Sequence, residues 1–487
     1  MFGNASRAGW IVGFVGAALA PAMASAQDDA LQRASKAMGA ADLKSIRYAG
    51  DGIGYSFGQA YQSGKAWPRI KLHGVVRTIN FETGSMRDEI VLSRNEPLGG
   101  GGYPHVAQQR NDQYLSGDFA WNQLTSAALP GPRFVAERIH QLWVTPHGVL
   151  KAAMRNKATV RVAKGEGKSL TAVSFTEPGR FSATAYLDAD NLVERVESRA
   201  TDPVLGETTA VTRYSDYRDF GGVKFPMRIR QSLGGHPVLD LTASDVQPNA
   251  PAAIQVPELV RSATERVVVD KIADGVWFLA GGSHNSVAIE MKDHLVLVEA
   301  PLNDGRMVPV IEQVVKLAPG KPIRYVINSH GHFDHSGGLR TAVAEGATVI
   351  TQAQNQRYFE RAFATPNKLA PDRLAQSGRK ARFRAVNGRL TLSDGARTLD
   401  IHHIADSHHT DAFLMVHLPK ERLLIEADAF TPGAPNTPPP AQPNPHHTNL
   451  IENLERLNLA VDRILPLHGR VVPIADLYSA AGATMKR

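Results

Sequence analysis

Within the run Ile327-Asn328-Ser329-His330-Gly331-His332-Phe333-Asp334-His335-Ser336-Gly337-Gly338, three imidazoles and one carboxylate fall inside six residues. An apolar stretch, Ile323 to Ile327, leads in, and the small residues Ser336 to Gly338 lead out toward a helix. The pattern predicts a buried strand that ends in a tight loop, with its side chains fanned around a point beyond the strand end. Imidazole and carboxylate are ligands for zinc and other divalent transition metals. A His-rich surface loop without function is the plainer reading, but more candidate ligands recur downstream at strand ends. Ser407-His408-His409-Thr410-Asp411 precedes the apolar run Phe413 to Leu418. Leu423-Leu424-Ile425-Glu426-Ala427 ends in Asp428, and Ile464-Leu465-Pro466-Leu467 ends in His468. Loops on a rigid scaffold are where binding and catalytic side chains concentrate.

The elements that must hold these loops follow from patterning. The chain has 487 residues, too long for one ordinary core. Residues 1–26 read as a secretory signal: Arg7, the apolar stretch Trp10 to Leu19, and the small-residue site Ala24-Ser25-Ala26. A short membrane anchor is the alternative for this segment. Asp29 to Ala41 is expected to be helical. From there to about residue 250 the period-two alternation predicts antiparallel strands with one wet face, interrupted by short helices at Arg133 to Trp143 and Pro146 to Met154. Gly99 to Gly102 reads as a flexible turn. Residues 251–262 form a Pro/Ala-containing linker, and in 263–487 strands and helices intermix. The fold class expected is therefore α+β.

Composition narrows the chemistry. There is no cysteine, so no disulfide framework and no thiolate ligand or nucleophile. Any metal site must use His, Asp, Glu and water. The net charge of +7 permits attraction to acidic substrates without requiring it. The leader implies export to a periplasm, with no stable membrane anchor after cleavage, and argues against nucleic acid as a partner.

Taken in order, Glu299 at a strand end, the H-x-H-x-D-H run at His330, His332, Asp334 and His335, then His409, Asp428 and His468 resemble the five motifs of the metallo-β-lactamase-fold hydrolases. The resemblance covers about residue 263 onward and implies an αββα sandwich. It implies two metals, zinc in the first instance with manganese or iron as alternatives. His330, His332 and His409 would hold one metal, Asp334, His335 and His468 the other, and Asp428 would bridge them. A water shared by such a pair has its pKa lowered toward about 7, with Asp334 as proton relay. Glu299 and Asp411 are candidates to orient the imidazoles. His408 competes with His409 for the ligand role, and Thr410 after His409 favours the latter. His140 and His147 are expected to be packing or surface residues. His446 and His447 in the Pro-rich loop could reach the site, but exposed loop residues are the commoner case, and the same holds for His284, His402 and His403.

The N-terminal strands, through Tyr217-Arg218-Asp219-Phe220-Gly221-Gly222-Val223-Lys224-Phe225-Pro226, are similar in pattern to the curved sheets of bacterial lipoprotein carriers. Within the hydrolase family, the absence of Cys and the presence of Asp428 set this chain apart from the zinc β-lactamase classes. The set is that of lactonases and thioesterases. The expectation is an exported dinuclear zinc hydrolase of a carboxylic ester, lactone or related acyl bond in a small molecule. Two alternatives are a β-lactamase, and a carrier of a lipid-like ligand with a secondary metal centre. Oligomeric state is left open by the sequence.

Overall fold

The computed structural model describes residues 19–95, 107–123, 127–165, 167–435, 438 and 442–485. Most of the expected leader and the Gly99–Gly102 turn lie outside the described residues. Helix α1 (Leu19–Met38) starts upstream of the expected Asp29 and runs through Ala24-Ser25-Ala26. The alanine-rich stretch has high helix propensity. No helix among the described residues is long and apolar enough to cross a membrane.

The N-terminal part is one sheet of 13 strands. It meanders outward from β1 (Ser45–Tyr55) and β2 (Arg69–Asn80) to the strand Ala128–Pro130. The chain then crosses through helices α2 (Val135–Trp143) and α3 (Pro146–Arg155) and meanders back from the strand Thr159–Gly165. The last strand, His236–Pro248, pairs antiparallel with β1, joining the two halves. Helices α1, α2 and α3 lie on one face, where Met38, Leu142 and Leu150 pack with Ile79, Phe181 and Phe225 in one core. His140 and His147 sit in that core: His140 Nε2 bonds Ser198 Oγ at 2.8 Å, and His147 Nε2 bonds the Met38 carbonyl at 3.2 Å.

After a short helix at Glu258–Arg261, two further sheets follow, of seven and six strands. Val296, Ile327 and Ile350 of one meet Ile401, Val416 and Ile425 of the other in a shared core. The helix Asp304–Leu317 and its neighbours cover the outside of the first sheet through Met307, Val310 and Val314, while Leu450 and Leu454 of the helix Pro445–Arg456 belong to the core of the second. This is the αββα layering. The strands Leu295–Val298, Ile323–Ile327 and Thr348–Gln352 run parallel, as do Leu423–Glu426 and Arg463–Pro466. In sheets of this kind ligands collect beyond the carboxyl ends of the strands.

Candidate metal centre

Six of the seven expected ligands sit just past such a strand end. His330, His332, Asp334 and His335 follow the strand Ile323–Ile327. Asp428 follows Leu423–Glu426, and His468 follows Arg463–Pro466. His409 lies on the loop before the strand Leu414–Leu418. Near those ends the strands carry buried aliphatics, Val326 and Ile327, Leu424 and Ile425, and Ile464 and Leu465, so the ends are fixed by packing on both faces.

The structure brings all seven residues together. His330 Nε2 and His409 Nε2 are 3.2 Å apart, and His335 Nε2 and His468 Nε2 are 3.0 Å apart. Asp428 lies between the pairs: Oδ2 is 2.9 Å from His409 and 3.6 Å from His330, while Oδ1 is 3.0 Å from His468 and 3.2 Å from His335. His409 is 4 % exposed and aimed inward, whereas His408 is exposed, so only His409 belongs to the cluster.

The second nitrogen of four rings is held from outside, which fixes ring orientation and tautomer. His330 Nδ1 bonds Ser329 Oγ at 2.9 Å, and Ser329 Oγ in turn donates to Glu299 Oε2. The same Glu299 oxygen accepts from His335 Nδ1 at 3.0 Å. His468 Nδ1 donates to the Ser283 carbonyl at 3.0 Å, and His332 Nε2 to the Ala60 carbonyl at 3.1 Å. Glu299 is therefore an orienting acid as expected. Asp411 is not: its carboxylate takes a hydrogen bond from Gln62.

Electrostatics and satisfaction test whether metal fits here. Burial, reinforced by neighbouring imidazoles, pulls His330 well below the ordinary histidine range and His332 down to about 3, so both are neutral. Burial alone would raise Asp334 and Asp428, but His335 beside both holds them ionised. Burial disfavours charge on His335 too, yet Asp428 and Asp334 raise it well above its usual value. Two ring nitrogens facing each other at 3.0–3.2 Å need a shared cation or proton between them. His332 Nδ1 is buried without any hydrogen-bond partner. An unpartnered buried acceptor is costly, and a divalent ion would satisfy it. Two groups of four donors have atoms within 4.8 Å of one another, His330, His332, His409 and Asp428, and His284, Asp334, His335 and His468; Glu299 forms a third group with His330 and His335. The residues present fit divalent metal.

His284 was expected in an exposed loop and is instead 4 % exposed within the second group. Its Nε2 lies 3.2 Å from Asp334 Oδ2, its Nδ1 2.8 Å from Ser283 Oγ, and its ring is 4.1 Å from that of His468. The signal available was position, just ahead of the buried strand Ser286–Glu290, but no motif marks it. His446 and His402 are also buried rather than exposed. Pro445 opens a helix at a position where its missing N–H costs nothing, which turns the His446 ring to within 5.7 Å of His409. The ring of His447, also expected in an exposed loop, meets Phe430 edge-on at 5.0 Å.

A family model described as the metallo-beta-lactamase superfamily matches residues 279–468. Among solved structures, a metallo-beta-lactamase from Pontibacter korlensis is 15% identical with a TM-score of 0.34, over 45% of this chain and 98% of that one. FIM-1 from Pseudomonas aeruginosa in its mono-zinc form is 21% identical with a TM-score of 0.34, over 45% and 95%. A metallo beta lactamase from Hirschia baltica is 20% identical with a TM-score of 0.34, over 44% and 96%. No curated protein matches the chain.

Proposed function

We propose, from the match of residues 279–468 to the metallo-beta-lactamase superfamily of metal-dependent hydrolases, that the protein is a dinuclear zinc hydrolase of a carboxylic ester, lactone or related acyl bond. The observation that carries the reading is Asp428, which presents one oxygen to an imidazole pair on each side. A carboxylate so placed suits two ions rather than one. The donor set is all nitrogen and oxygen, which suits zinc and also manganese or iron.

Divalent ions in these groups would polarise a substrate carbonyl and lower the pKa of a bound water toward about 7. The chain's own residues do the rest. Glu299, Ser329, Ser283 and Ala60 hold the imidazoles so that their free nitrogens converge. Asp334 stays ionised at the edge of the cluster, its side chain 30% exposed, and is placed to take a proton from the attacking water and pass it outward. The same reading includes the export and periplasmic location argued from the N-terminal residues, and a small-molecule substrate.

The test is proton release by zinc-loaded protein against a lactone, an aryl ester, a thioester, a cephalosporin and a phosphodiester, each with a chelated control. Chelator-sensitive turnover of a lactone, ester or thioester is expected. Turnover of the cephalosporin alone would move the substrate to β-lactams. Silence on every acyl substrate, with two ions bound, would refute the acyl reading.

A further inference from the structure

The connection between β1 and β2 is not a plain hairpin. Residues 56–68 leave the N-terminal sheet and lie across the loop that carries the H-x-H-x-D-H residues. Phe57 packs edge-on against Phe333, with ring centroids 5.2 Å apart, and Phe333 N–H donates to the Gly58 carbonyl at 3.2 Å. The approach is so close that glycine is needed on both sides. Gly58 has φ of +76°, and a Cβ there would lie 2.6 Å from the Phe333 ring; a Cβ on Gly331 would collide with Ser63 Oγ.

Three consecutive residues of this strap then reach two ligand-bearing segments, the His330–His335 loop and the loop of His409. Gln59 Nε2 donates to Asp334 Oδ1 at 2.8 Å. The Ala60 carbonyl accepts from His332 Nε2, which leaves the Nδ1 lone pair facing the cluster. The Tyr61 carbonyl accepts from Thr410 Oγ1 at 2.9 Å and from Asp411 N–H at 3.2 Å, and its hydroxyl donates to the Ser407 carbonyl at 3.0 Å. His409 lies between these anchor points.

We propose that the strap is a working part of the metal centre, and that Gln59 is the positioning residue for Asp334, setting the affinity of the group that contains it. The proposal rests on the dinuclear reading above. Its logic is in the two oxygens of Asp334. Oδ2 faces His284 and His335, and Oδ1 faces Gln59. A neutral amide donor fixes the rotation of the carboxylate without cancelling its charge, so Oδ2 stays aimed at the group and ionised. A lysine or arginine at this place would compete with a metal ion for the same charge. Hydrogen-bond partners behind metal ligands typically contribute about 10–100-fold in metal affinity. With Asp334 only partly buried, the lower end, about tenfold, is expected here.

The experiment is a competition titration of full-length protein with a chromophoric chelator, giving two zinc dissociation constants, together with the visible spectrum of the cobalt(II) form. The constant belonging to the Asp334 group is assigned by its loss in Asp334→Asn. Gln59→Met keeps the shape and removes the donor; Gln59→Ala serves if the first variant does not fold, as judged by urea unfolding of the metal-free protein. The expected result is an increase of about tenfold in the assigned constant, the other unchanged, and a cobalt spectrum altered for one ion only. Unchanged constants in a wild-type-like pair would overturn the role of Gln59 while leaving the dinuclear centre standing. An equal rise in both constants would show general loosening and overturn it as well. Failure of the wild-type protein to bind two ions would overturn the dinuclear reading itself and this inference with it.

Discussion

Glu299→Gln probes the link on which both ligand groups converge. Glu299 is fully buried, and its Oε2 accepts from His335 Nδ1 and from Ser329 Oγ, which in turn holds His330. Its Oε1 faces Asn328 Nδ2 at 3.3 Å and Ser329 N–H at 3.4 Å. Glutamine keeps the volume but turns one acceptor into a donor. If the amide oxygen stays with Asn328 and Ser329 N–H, the NH2 faces His335 Nδ1. That ring must then give up its Nδ1 proton, which moves to Nε2 and removes the lone pair aimed at the cluster. Hydrogen bonds to a charged group are worth about 1.5–3 kcal/mol, and each 1.4 kcal/mol is about tenfold in affinity. The second group should therefore bind zinc about 10–100-fold more weakly. The first group should weaken too, because Ser329 loses its acceptor. Ser329→Ala provides the contrast, since it breaks only the path to His330. The assay is the same two-site chelator competition, with metal content of the dialysed protein as a check. Two constants equal to those of the wild-type protein in Glu299→Gln would refute the argument that this acid sets the tautomers.

Two predictions concern stability. Arg306, with a side chain 1% exposed, donates to Glu265, Arg266, Ala280 and His284; Arg306→Met should cost about 1–3 kcal/mol by removing the donor from the buried His284 carbonyl and from the part-buried carbonyls of Arg266 and Ala280. A loss below about 1 kcal/mol in urea unfolding would contradict it. His140 and His147 are held neutral by burial with pKa values lowered to about 4. The unfolded chain takes up protons at these residues below about pH 6.5 while the folded chain does not, so stability is full above that value and falls as pH drops toward 4. Each should lose about 2 kcal/mol between about pH 7.5 and about pH 5. His147→Phe, which can keep the stacking on Phe225, should flatten the pH dependence by that amount; an unchanged slope in urea unfolding would sink the claim.

The sequence was most legible where one strand end carries one ligand. His330, Asp428 and His468 each follow a short apolar run, and such runs read directly as buried strands. The alternation from about Ala158 to Val246 likewise foretold antiparallel strands. It could not foretell that β1 would pair with His236–Pro248 to make a single sheet, because alternation shows which face a residue takes but not its neighbour. His284 escaped because it stands alone in the chain and gains its meaning from Asp334, 50 positions away. The burial of His446 was not legible because proline density hides the fact that Pro445 opens a helix. The contributions of Ala60 and Tyr61 carbonyls could not be read at all, since every residue has a carbonyl and only the fold aims it.

The strap changes what counts as a separable part of this molecule. A reader of the chain would cut at the linker 251–262 and expect the remainder, which holds every recognisable motif, to stand as a module. Cut there, His332 would lose the acceptor that fixes its tautomer, Asp334 its amide donor, and the loop of His409 three of its anchors. Transplanting this catalytic half onto another partner would therefore require carrying residues 56–68 along. The N-terminal sheet is thus joined to the ligand loops by hydrogen bonds and not by the linker alone.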